Sequence, residues 1–390
     1  MATNDNFDDI RAFDNSEVRA TVEALAADEH FRKSMSVISG GIPFETIATV
    51  MRSCDTVRQF QERVCYPIVT TFIRRCSSGV QLDITSIPNR EAPHIYISNH
   101  RDIVLDSALL SIKLLEQGLD TVEIAIGDNL LIYPWIRNFV RLNKAFIVKR
   151  GLTMRHQLEA SMELSQYIHH TIAGKHQSVW IAQREGRAKD SSDETQESVV
   201  KMLAMGGGRD IRQSLAGLDI VPLTISYEFD PCDYLKAREM QMKRDDPSYK
   251  KEAKDDIQNM SIGISGQKGR INYKTGRPLN THMQTLDGTA GKPEMFHELT
   301  EWLTREIHRN YTLYPCNYVA CDMLDGTDTH SAHYTADDRR QFAAYLDGQL
   351  AKIDLPAPDM PFLKHCIVNM YANPVINKTK AQCAQHSQSS

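Results

Sequence analysis

The chain has 390 residues, enough for one large domain or for two or three smaller modules. Its apolar content of 41% and charged content of 24% are ordinary for a soluble globular protein. The formal net charge of −5 argues against a dedicated nucleic-acid-binding protein, so no nucleic-acid partner is expected.

Signals for export and for membrane crossing are both missing from the sequence pattern. Residues 1–9 are polar and acidic, unlike a signal peptide. Every uninterrupted apolar run falls short of the roughly 18 residues that a spanning helix needs. The eight cysteines form no CxxC pair, a pattern typical of a reduced cytosolic protein. We therefore expect a cytoplasmic protein whose membrane contacts are peripheral.

The amino-terminal region is predicted to be helical. Residues 16–37 show apolar positions at helical spacing, with Ser16 as the N-cap. A second helical run, 44–76, has a partly apolar face and ends in Arg74 and Arg75. This run has two interpretations: a helix of a bundle packed on the main domain, or an amphipathic helix lying on a membrane.

From Gln81 onward, short apolar runs alternate with helix-like stretches, as in α/β proteins. We predict a mixed sheet flanked by helices. The predicted strands are Ile95–Ser98, Thr121–Ile126, Ala145–Val148, Ser178–Ala182, Ile220–Ser226 and Arg270–Tyr273. The predicted helices are Asp106–Gln117, Met154–Ala173 and Asp210–Leu215.

Later segments complete the predicted organisation. The highly charged run 234–258 is predicted to be a helical insertion with a solvated face. Helices are expected again from near Pro293 and over 336–352, separated by a loop at 325–334. The predicted regions are an N-terminal helical region (1–80), an α/β domain (81–292), a C-terminal helical region (293–375) and a disordered tail (376–390).

A histidine with nearby carboxylates follows the first predicted strand. His100 comes directly after Ile95–Asn99, and both Asp102 and Asp106 lie within reach of it. A histidine held by an aspartate and aimed at a hydroxyl is the minimal arrangement for general-base chemistry.

Cations follow two further strands. Lys149 and Arg150 end one, and another is followed by a turn that contains Arg184, Arg187 and Lys189 around Gly186. Because ligands of open α/β sheets bind at the carboxyl ends of strands, these cations are predicted to form an anion pocket suited to a phosphate monoester. The residues alone leave the reaction open between acyl transfer, phosphate-ester hydrolysis and another attack by a hydroxyl.

Taken in order, four segments resemble the motifs of the glycerolipid acyltransferases, which include glycerol-3-phosphate and 1-acylglycerol-3-phosphate acyltransferases. The resemblance covers about residues 93–230. The matching segments are Asn99-His100 with Asp106, Phe146-Ile147-Val148-Lys149-Arg150, Glu185-Gly186-Arg187, and Ile220-Val221-Pro222.

The resemblance implies direct transfer from acyl-CoA or acyl carrier protein, with no other cofactor and no metal. His100 would act as the base and Asp106 would orient it. The backbone N–H groups at the following helix start would hold the oxyanion. It also implies peripheral action at the inner membrane face. The implied substrate-binding residues are Lys149, Arg150 and Arg187, supplemented by Lys189, with Glu185, Gly186 and Pro222 shaping the pocket.

Two positions depart from the family pattern. Five residues, instead of four, separate His100 from Asp106. Asp106 is the preferred partner because its surroundings resemble those of the family's aspartate, and Asp102 is the alternative. The threonine of the family's Glu-Gly-Thr-Arg motif is missing, so the arginine role falls to Arg187 one position early.

Three functions follow from these observations. The first is an O-acyltransferase of phospholipid synthesis acting on glycerol 3-phosphate, its 1-acyl derivative or another hydroxylated acceptor. The second is a non-catalytic binding module for lipid or acyl carrier on the same scaffold, motivated by the altered spacing. The third, a phosphate-ester hydrolase, is disfavoured because the chain lacks the signatures of such enzymes.

Overall fold

A seven-stranded sheet forms the centre of the molecule. The computed structural model describes residues 7–39, 41–286 and 291–388. The strands are β1 Gly79–Asp83, β2 Ile95–Ser98, β3 Glu123–Gly127, β4 Ala145–Val148, β5 Val179–Ala182, β6 Ile220–Tyr227 and β7 Arg270–Thr275. Their order in the sheet is β1-β7-β6-β2-β5-β3-β4.

The sheet is mixed, and its strand directions gather the predicted motifs at one edge. The neighbours β6, β2, β5, β3 and β4 are all parallel. Strand β7 pairs antiparallel with β6, and β1 pairs parallel with β7. The carboxyl ends of β2 to β6 therefore share one edge. The predicted mixed α/β sheet is confirmed.

Helices cover both faces of this sheet and extend beyond it at each end of the chain. The first are α1 Val18–Ala27, α2 Glu29–Ile38, α3 Phe44–Arg52, α4 Val57–Phe60 and α5 Tyr66–Cys76. The helices between strands are α6 Leu105–Glu116, α7 Pro134–Leu142, α8 Met154–Ala173, α9 Glu197–Met205, α10 Ile211–Ala216, α11 Asp233–Asp245 and α12 Ala253–Ser265. The last are α13 Leu279–Met283, α14 Lys292–Arg309, α15 Pro315–Asp325, α16 Ala336–Leu350 and α17 Met360–Gln388. Among the described helices, none combines the length and apolarity that crossing a membrane requires.

Helices α1 to α5 form a bundle that packs against the sheet domain through α7. Their buried core includes Phe31 and Phe60 and is completed by Leu142 of α7. The predicted N-cap at Ser16 is wrong, because a 3₁₀ turn at Asn15–Glu17 precedes α1, and the side chain of Asp14 caps this turn by accepting the Ser16 N–H. The single run predicted over 44–76 is broken by residues 53–56 and contains a π-helical turn at Gln61–Cys65.

Helix α14 lies on the sheet, across the boundary predicted at residue 293. Its residues Leu299, Trp302 and Leu303 are buried in the same core as Ile97 of β2 and Ile181 of β5. The helix therefore contributes to the core of the α/β unit as well as beginning the C-terminal helices.

The charged run 234–258 is less solvated than predicted. Helix α11 buries Asp233, Lys236 and Glu239. The Asp233 carboxylate accepts hydrogen bonds from the hydroxyls of Tyr345 (2.7 Å) and Tyr371 (2.9 Å). Burial raises the pKa of Asp233 to about 7, with Asp230 adding to the shift. The solvated-face prediction is wrong for this side of α11, because Asp233 pairs with the C-terminal helices, Lys236 with Asp230 and Glu239 with Lys189.

The tail predicted to be disordered from residue 376 is helical as far as Gln388, and residues 389–390 lie outside the described part. Polar contacts explain the difference. The Asn377 amide donates to the carbonyl of Ser191 at 3.2 Å, and Lys378 Nζ donates to the carbonyl of Tyr311 at 2.6 Å. These partners lie far away in the sequence, so composition alone did not indicate them.

We expect Leu303→Ala to lower the free energy of unfolding by about 2–5 kcal/mol, because it opens a cavity in the core beneath the sheet. The control is Met360→Ala, which changes a side chain that is 42% exposed and should stay within about 0.5 kcal/mol. Urea unfolding followed by tryptophan fluorescence measures both. A cost for Leu303→Ala no larger than that of the control would show that α14 is not part of the sheet core.

Candidate active site

His100 lies in the turn between β2 and α6, at the carboxyl edge of the sheet. Its Nδ1 is 2.8 Å from Asp106 Oδ2, in the first turn of α6. The histidine side chain is 15% exposed, whereas the aspartate is fully buried. The ring therefore reaches solvent while its partner is shielded from it.

One oxygen of Asp106 accepts three hydrogen bonds. Besides His100 Nδ1, Asp106 Oδ2 accepts from the backbone N–H groups of Arg101 (2.6 Å) and Asp102 (3.0 Å). Since a carboxylate only accepts, His100 Nδ1 carries the hydrogen and Nε2 presents its lone pair. Nε2 has no hydrogen-bond partner among the described residues, so it is open to a substrate hydroxyl.

Asp102 was the alternative partner predicted for His100, but its carboxylate bonds to other groups. Its Oδ1 accepts from the backbone N–H groups of Val104 and Leu105, both at 2.8 Å, and so holds the turn that leads into α6. Burial and the nearby Asp106 raise the pKa of Asp102. The N–H groups of Val104 and Leu105 thus donate to Asp102 and do not form the predicted oxyanion site.

Neighbouring side chains hold the His100 turn in place. The His100 ring meets the edge of Trp180 at a centroid distance of 5.4 Å, and Trp180 Nε1 donates to Ser98 Oγ at 2.9 Å. Asn99 exchanges two hydrogen bonds with the backbone of Ile225 in β6, at 3.0 and 2.8 Å. The turn is therefore tied to both strands beside β2.

An apolar cavity of about 190 Å³ is lined by residues that lie close to Asp106 in the sequence. Ile103, Val104 and Ser107, around Asp106 in the sequence, belong to its wall. The wall continues along α6 through Ser111 to Leu115, and α5, α7, β3 and β4 supply the other sides. Its lining is predominantly apolar, so it suits a hydrocarbon chain.

The predicted substrate cations fall into two groups. Lys149, Arg150, Arg184 and Glu185 line a second cleft of about 350 Å³, between the ends of β3 to β5 and helices α8 and α9. Lys149 is paired with Glu163 at 2.9 Å and with Asp9 at 2.6 Å. Arg150 is paired with Glu185 at 2.8 Å. Two cations of this cleft are therefore already balanced by carboxylates.

Arg187 and Lys189 turn toward α11 and α12, outside that cleft. Arg187 is buried, and its Nη2 donates to Asn259 Oδ1 at 2.9 Å. Its charge also acts on Asp102, two residues after His100. Lys189 pairs with Glu239 at 2.7 Å, and burial lowers the pKa of Lys189 to about 8. Gly186 takes a left-handed conformation (φ +66°) that turns the chain between the two groups.

Pro222 lies inside β6 and is buried. It stands opposite Ile97 in β2, and its carbonyl accepts the N–H of Gly276 at 2.8 Å. Its position supports the shape of the sheet beneath the His100 turn.

Residues 81–226 match the family model described as Acyltransferase. The chain carries an acyltransferase-family domain. The match confirms the resemblance to the glycerolipid acyltransferases, and this acyltransferase domain contains His100, Asp106 and the motif cations.

Two other comparisons add little to that match. No curated protein matches the chain. A crystal structure of the 1-acyl-sn-glycerophosphate acyltransferase PlsC from Thermotoga maritima is 11% identical. The alignment covers 75% of this chain and 96% of the other, with a TM-score of 0.35. Similarity at this level bears on neither the site nor the substrate.

Several residues around the acyltransferase site were not predicted. One of them, Arg101, is next to His100 in the sequence, and this adjacency was its only signal. The others come from distant parts of the chain. The missed residues are Arg101, Trp180, Ser191, Asp193, Asn259 and Tyr311.

The two aspartates near His100 should behave differently when their charge is removed. We expect Asp106→Asn to lower kcat for acyl transfer by about 10²–10⁴-fold, because an amide no longer secures the productive tautomer. Asp102→Asn should cost about 1 kcal/mol or less of stability, since the asparagine Oδ1 still accepts from the N–H groups of Val104 and Leu105. It should keep kcat within about 10-fold of wild type. Steady-state kinetics with thermal unfolding checks both, and equal losses of kcat would contradict the assignment.

Proposed function

We propose that this protein is an O-acyltransferase that moves a fatty acyl group from a thioester to a hydroxyl of a glycerol-phosphate acceptor. The donor is acyl-CoA or an acyl carrier protein, and no other cofactor takes part. The observation that carries the proposal is the His100–Asp106 pair, in a segment whose residues Ile103, Val104 and Ser107 line an apolar cavity. The pair supplies a base, and the cavity suits the hydrocarbon tail of the donor.

The reaction proceeds in one transfer without an acyl-enzyme. His100 Nε2 takes the proton of the acceptor hydroxyl while the oxygen attacks the thioester carbonyl. Asp106 keeps the hydrogen on Nδ1 and stabilises the imidazolium that forms. The tetrahedral intermediate then expels the thiolate, which receives the proton from His100.

The acceptor phosphate binds beside Arg187 and Lys189. Arg187 is close enough to the His100 turn for its charge to influence Asp102. A glycerol phosphate has only a short separation between hydroxyl and phosphate, so its anion site must lie near the base. Lys149, Arg150 and Glu185 line the second cleft, and Gly186 turns the chain between that cleft and Arg187, so we assign these four residues to shaping the site. Glycerol 3-phosphate and 1-acylglycerol 3-phosphate both fit this chemistry.

The protein works as a peripheral enzyme at the cytoplasmic membrane face. Helix α8 supports this proposal, because Met154 and Leu158 on its first turns are 89% and 63% exposed. Leu152, just before α8, is also exposed. By contrast, the run 44–76, considered as a membrane helix, contributes Phe44 and Phe60 to the bundle core.

The test is release of free thiol from palmitoyl-CoA or palmitoyl-acyl carrier protein, with glycerol 3-phosphate or 1-acylglycerol 3-phosphate as acceptor and lipid present. We expect release that depends on one acceptor and falls by about 10³-fold or more in His100→Ala. His94→Ala is the matched control, since His94 is a buried histidine at the opposite end of β2, paired with Asp219.

If folded wild-type protein releases no acceptor-dependent thiol with any pairing, glycerol-phosphate acylation is excluded. Tight binding of the acyl donor under the same conditions would then favour the alternative, a non-catalytic binding module for lipid or acyl carrier on this scaffold. Equal activity of wild type and His100→Ala would instead remove His100 as the base.

Filling the cavity should change the preferred chain length. Ser111 lies on α6 one turn beyond Ser107, part-way along the cavity wall. We expect Ser111→Leu to lower kcat/KM for palmitoyl donors by about 10-fold or more relative to octanoyl donors, because the added side chain occupies space needed by the tail. Lys113→Leu, on α6 but outside the cavity wall, is the control. An unchanged ratio of the two donors in Ser111→Leu would separate this cavity from acyl binding.

A further inference from the structure

Both residues beside His100 are held by one carboxylate outside the four motifs. Asp193 Oδ2 accepts from Arg101 Nη2 at 2.5 Å and from Asn99 Nδ2 at 3.3 Å. The hydroxyl of Tyr311 donates to the same oxygen. All four side chains are buried. This arrangement fixes the residue before His100 and the residue after it to a common point.

The segment that carries Asp193 is held in an unfavourable backbone conformation. Ser191 and Asp193 both have positive φ, at 61° and 46°. A residue other than glycine in this region costs of order 1 kcal/mol and persists only where its surroundings enforce it. The enforcing contacts come from the C-terminal helices: Asn373 donates to the carbonyl of Asp190 at 2.6 Å, and His308 Nε2 lies 2.9 Å from the carbonyl of Ser192.

Arg101 connects this segment to the catalytic pair. Its guanidinium binds Asp193 and also donates to Ser191 Oγ at 2.6 Å. Its backbone N–H donates to Asp106 Oδ2 at 2.6 Å, on the oxygen that receives His100 Nδ1. A displacement of Asp193 would therefore move the backbone that positions both members of the pair.

We propose that Asp193 is a positioning residue for acyl transfer, acting on His100 through Arg101 and Asn99. The proposal rests on the proposed function in that His100 is the base. Asp193 contributes in two ways: its hydrogen bonds set the geometry of the turn, and its negative charge balances the buried Arg101 cation one residue from His100.

The charge balance has a measurable signature. Asp193→Asn leaves the Arg101 cation unbalanced, which disfavours a protonated His100, so protonation of the ring needs a lower pH. Arg101→Met leaves the Asp193 anion unbalanced and has the opposite effect. Neither substitution replaces any other titratable group around His100, Arg101 and Asp193. These groups are Asp102, Asp106, Arg187, Tyr227, Asp230, Tyr273, His308 and Tyr311.

Two measurements test the proposal. One is the pH dependence of kcat/KM together with kcat and KM for the acceptor. The other is an NMR titration of the His100 ring in protein labelled with ¹³C-histidine, assigned by its loss in His100→Gln, which needs no substrate. The variants are Asp193→Asn, Arg101→Met and the neutral double variant.

We expect kcat to fall by about 10- to 100-fold in each variant, with acceptor KM within about threefold, because small displacements at a reacting centre act mainly on turnover. The midpoint of the His100 titration, and with it the acidic limb of the kcat/KM profile, should move down by about half a pH unit or more in Asp193→Asn. It should move up in Arg101→Met. It should return close to the wild-type value in the double variant, while kcat stays low.

The control is Asp233→Asn, which alters another buried aspartate that accepts from two tyrosine hydroxyls, in the C-terminal helices. It should reduce stability without moving the His100 titration. Unshifted titrations together with kcat within twofold of wild type in both charge variants would overturn the proposal. A wild-type protein without turnover would refute the proposed function, and the NMR titration would still decide whether Asp193 acts on His100.

If the single charge variants do not fold, Tyr311→Phe is the variant to test. It keeps the charges of Arg101 and Asp193 and removes one hydrogen bond to Asp193. The positioning role requires kcat to fall by about fivefold or more with no change in KM or in the acidic midpoint. Full kcat in folded Tyr311→Phe would overturn it.

Discussion

The arrangement around His100 depends on one buried carboxylate oxygen. A fully buried aspartate is stable as an anion only if hydrogen bonds replace its lost hydration. For Asp106 those bonds come from the His100 ring and from two N–H groups of the turn between them, so the chain wraps around the oxygen. The five residues between His100 and Asp106 carry the backbone around the Asp106 carboxylate, and the Asp102 side chain accepts from the N–H groups of Val104 and Leu105 where α6 begins.

The strands at the centre of the sheet were predictable because burial on both faces produces short runs of apolar residues. Ile95–Ser98 and Ile220–Tyr227 are buried throughout and have neighbours on both sides. Strand β1 was missed because it lies at the sheet edge, where its residues are only partly buried. What makes Gly79–Asp83 a strand is its pairing with β7, which lies almost two hundred residues later in the sequence and leaves no local pattern.

The same distinction separates the parts of the site that could be predicted from those that could not. His100 and Asp106 lie six residues apart within one turn, so their contact follows from local geometry. Arg101 and Asp193 are 92 residues apart, and nothing near Asp193 indicated its partner. The motif cations were correctly associated with strand ends, yet their directions depend on which acidic residue each one meets. Glu239 was predicted to lie on a solvated face, but it forms an ion pair with Lys189, whose side chain therefore turns toward α11.

Much of the site's surroundings comes from outside residues 81–226, the extent of the acyltransferase match. Gln61, Cys65 and Tyr66 of the amino-terminal bundle line the apolar cavity, and Asn259 of α12 accepts a hydrogen bond from Arg187. The proposed base His100 and its partner Asp106 both lie between the end of β2 and the first turn of α6, inside the matched residues. The shape of the cavity and the direction of the motif cations depend instead on segments that carry no family motif. The motifs therefore indicate the class of reaction, whereas under the proposed function the choice of acceptor and chain length depends on the surrounding helices.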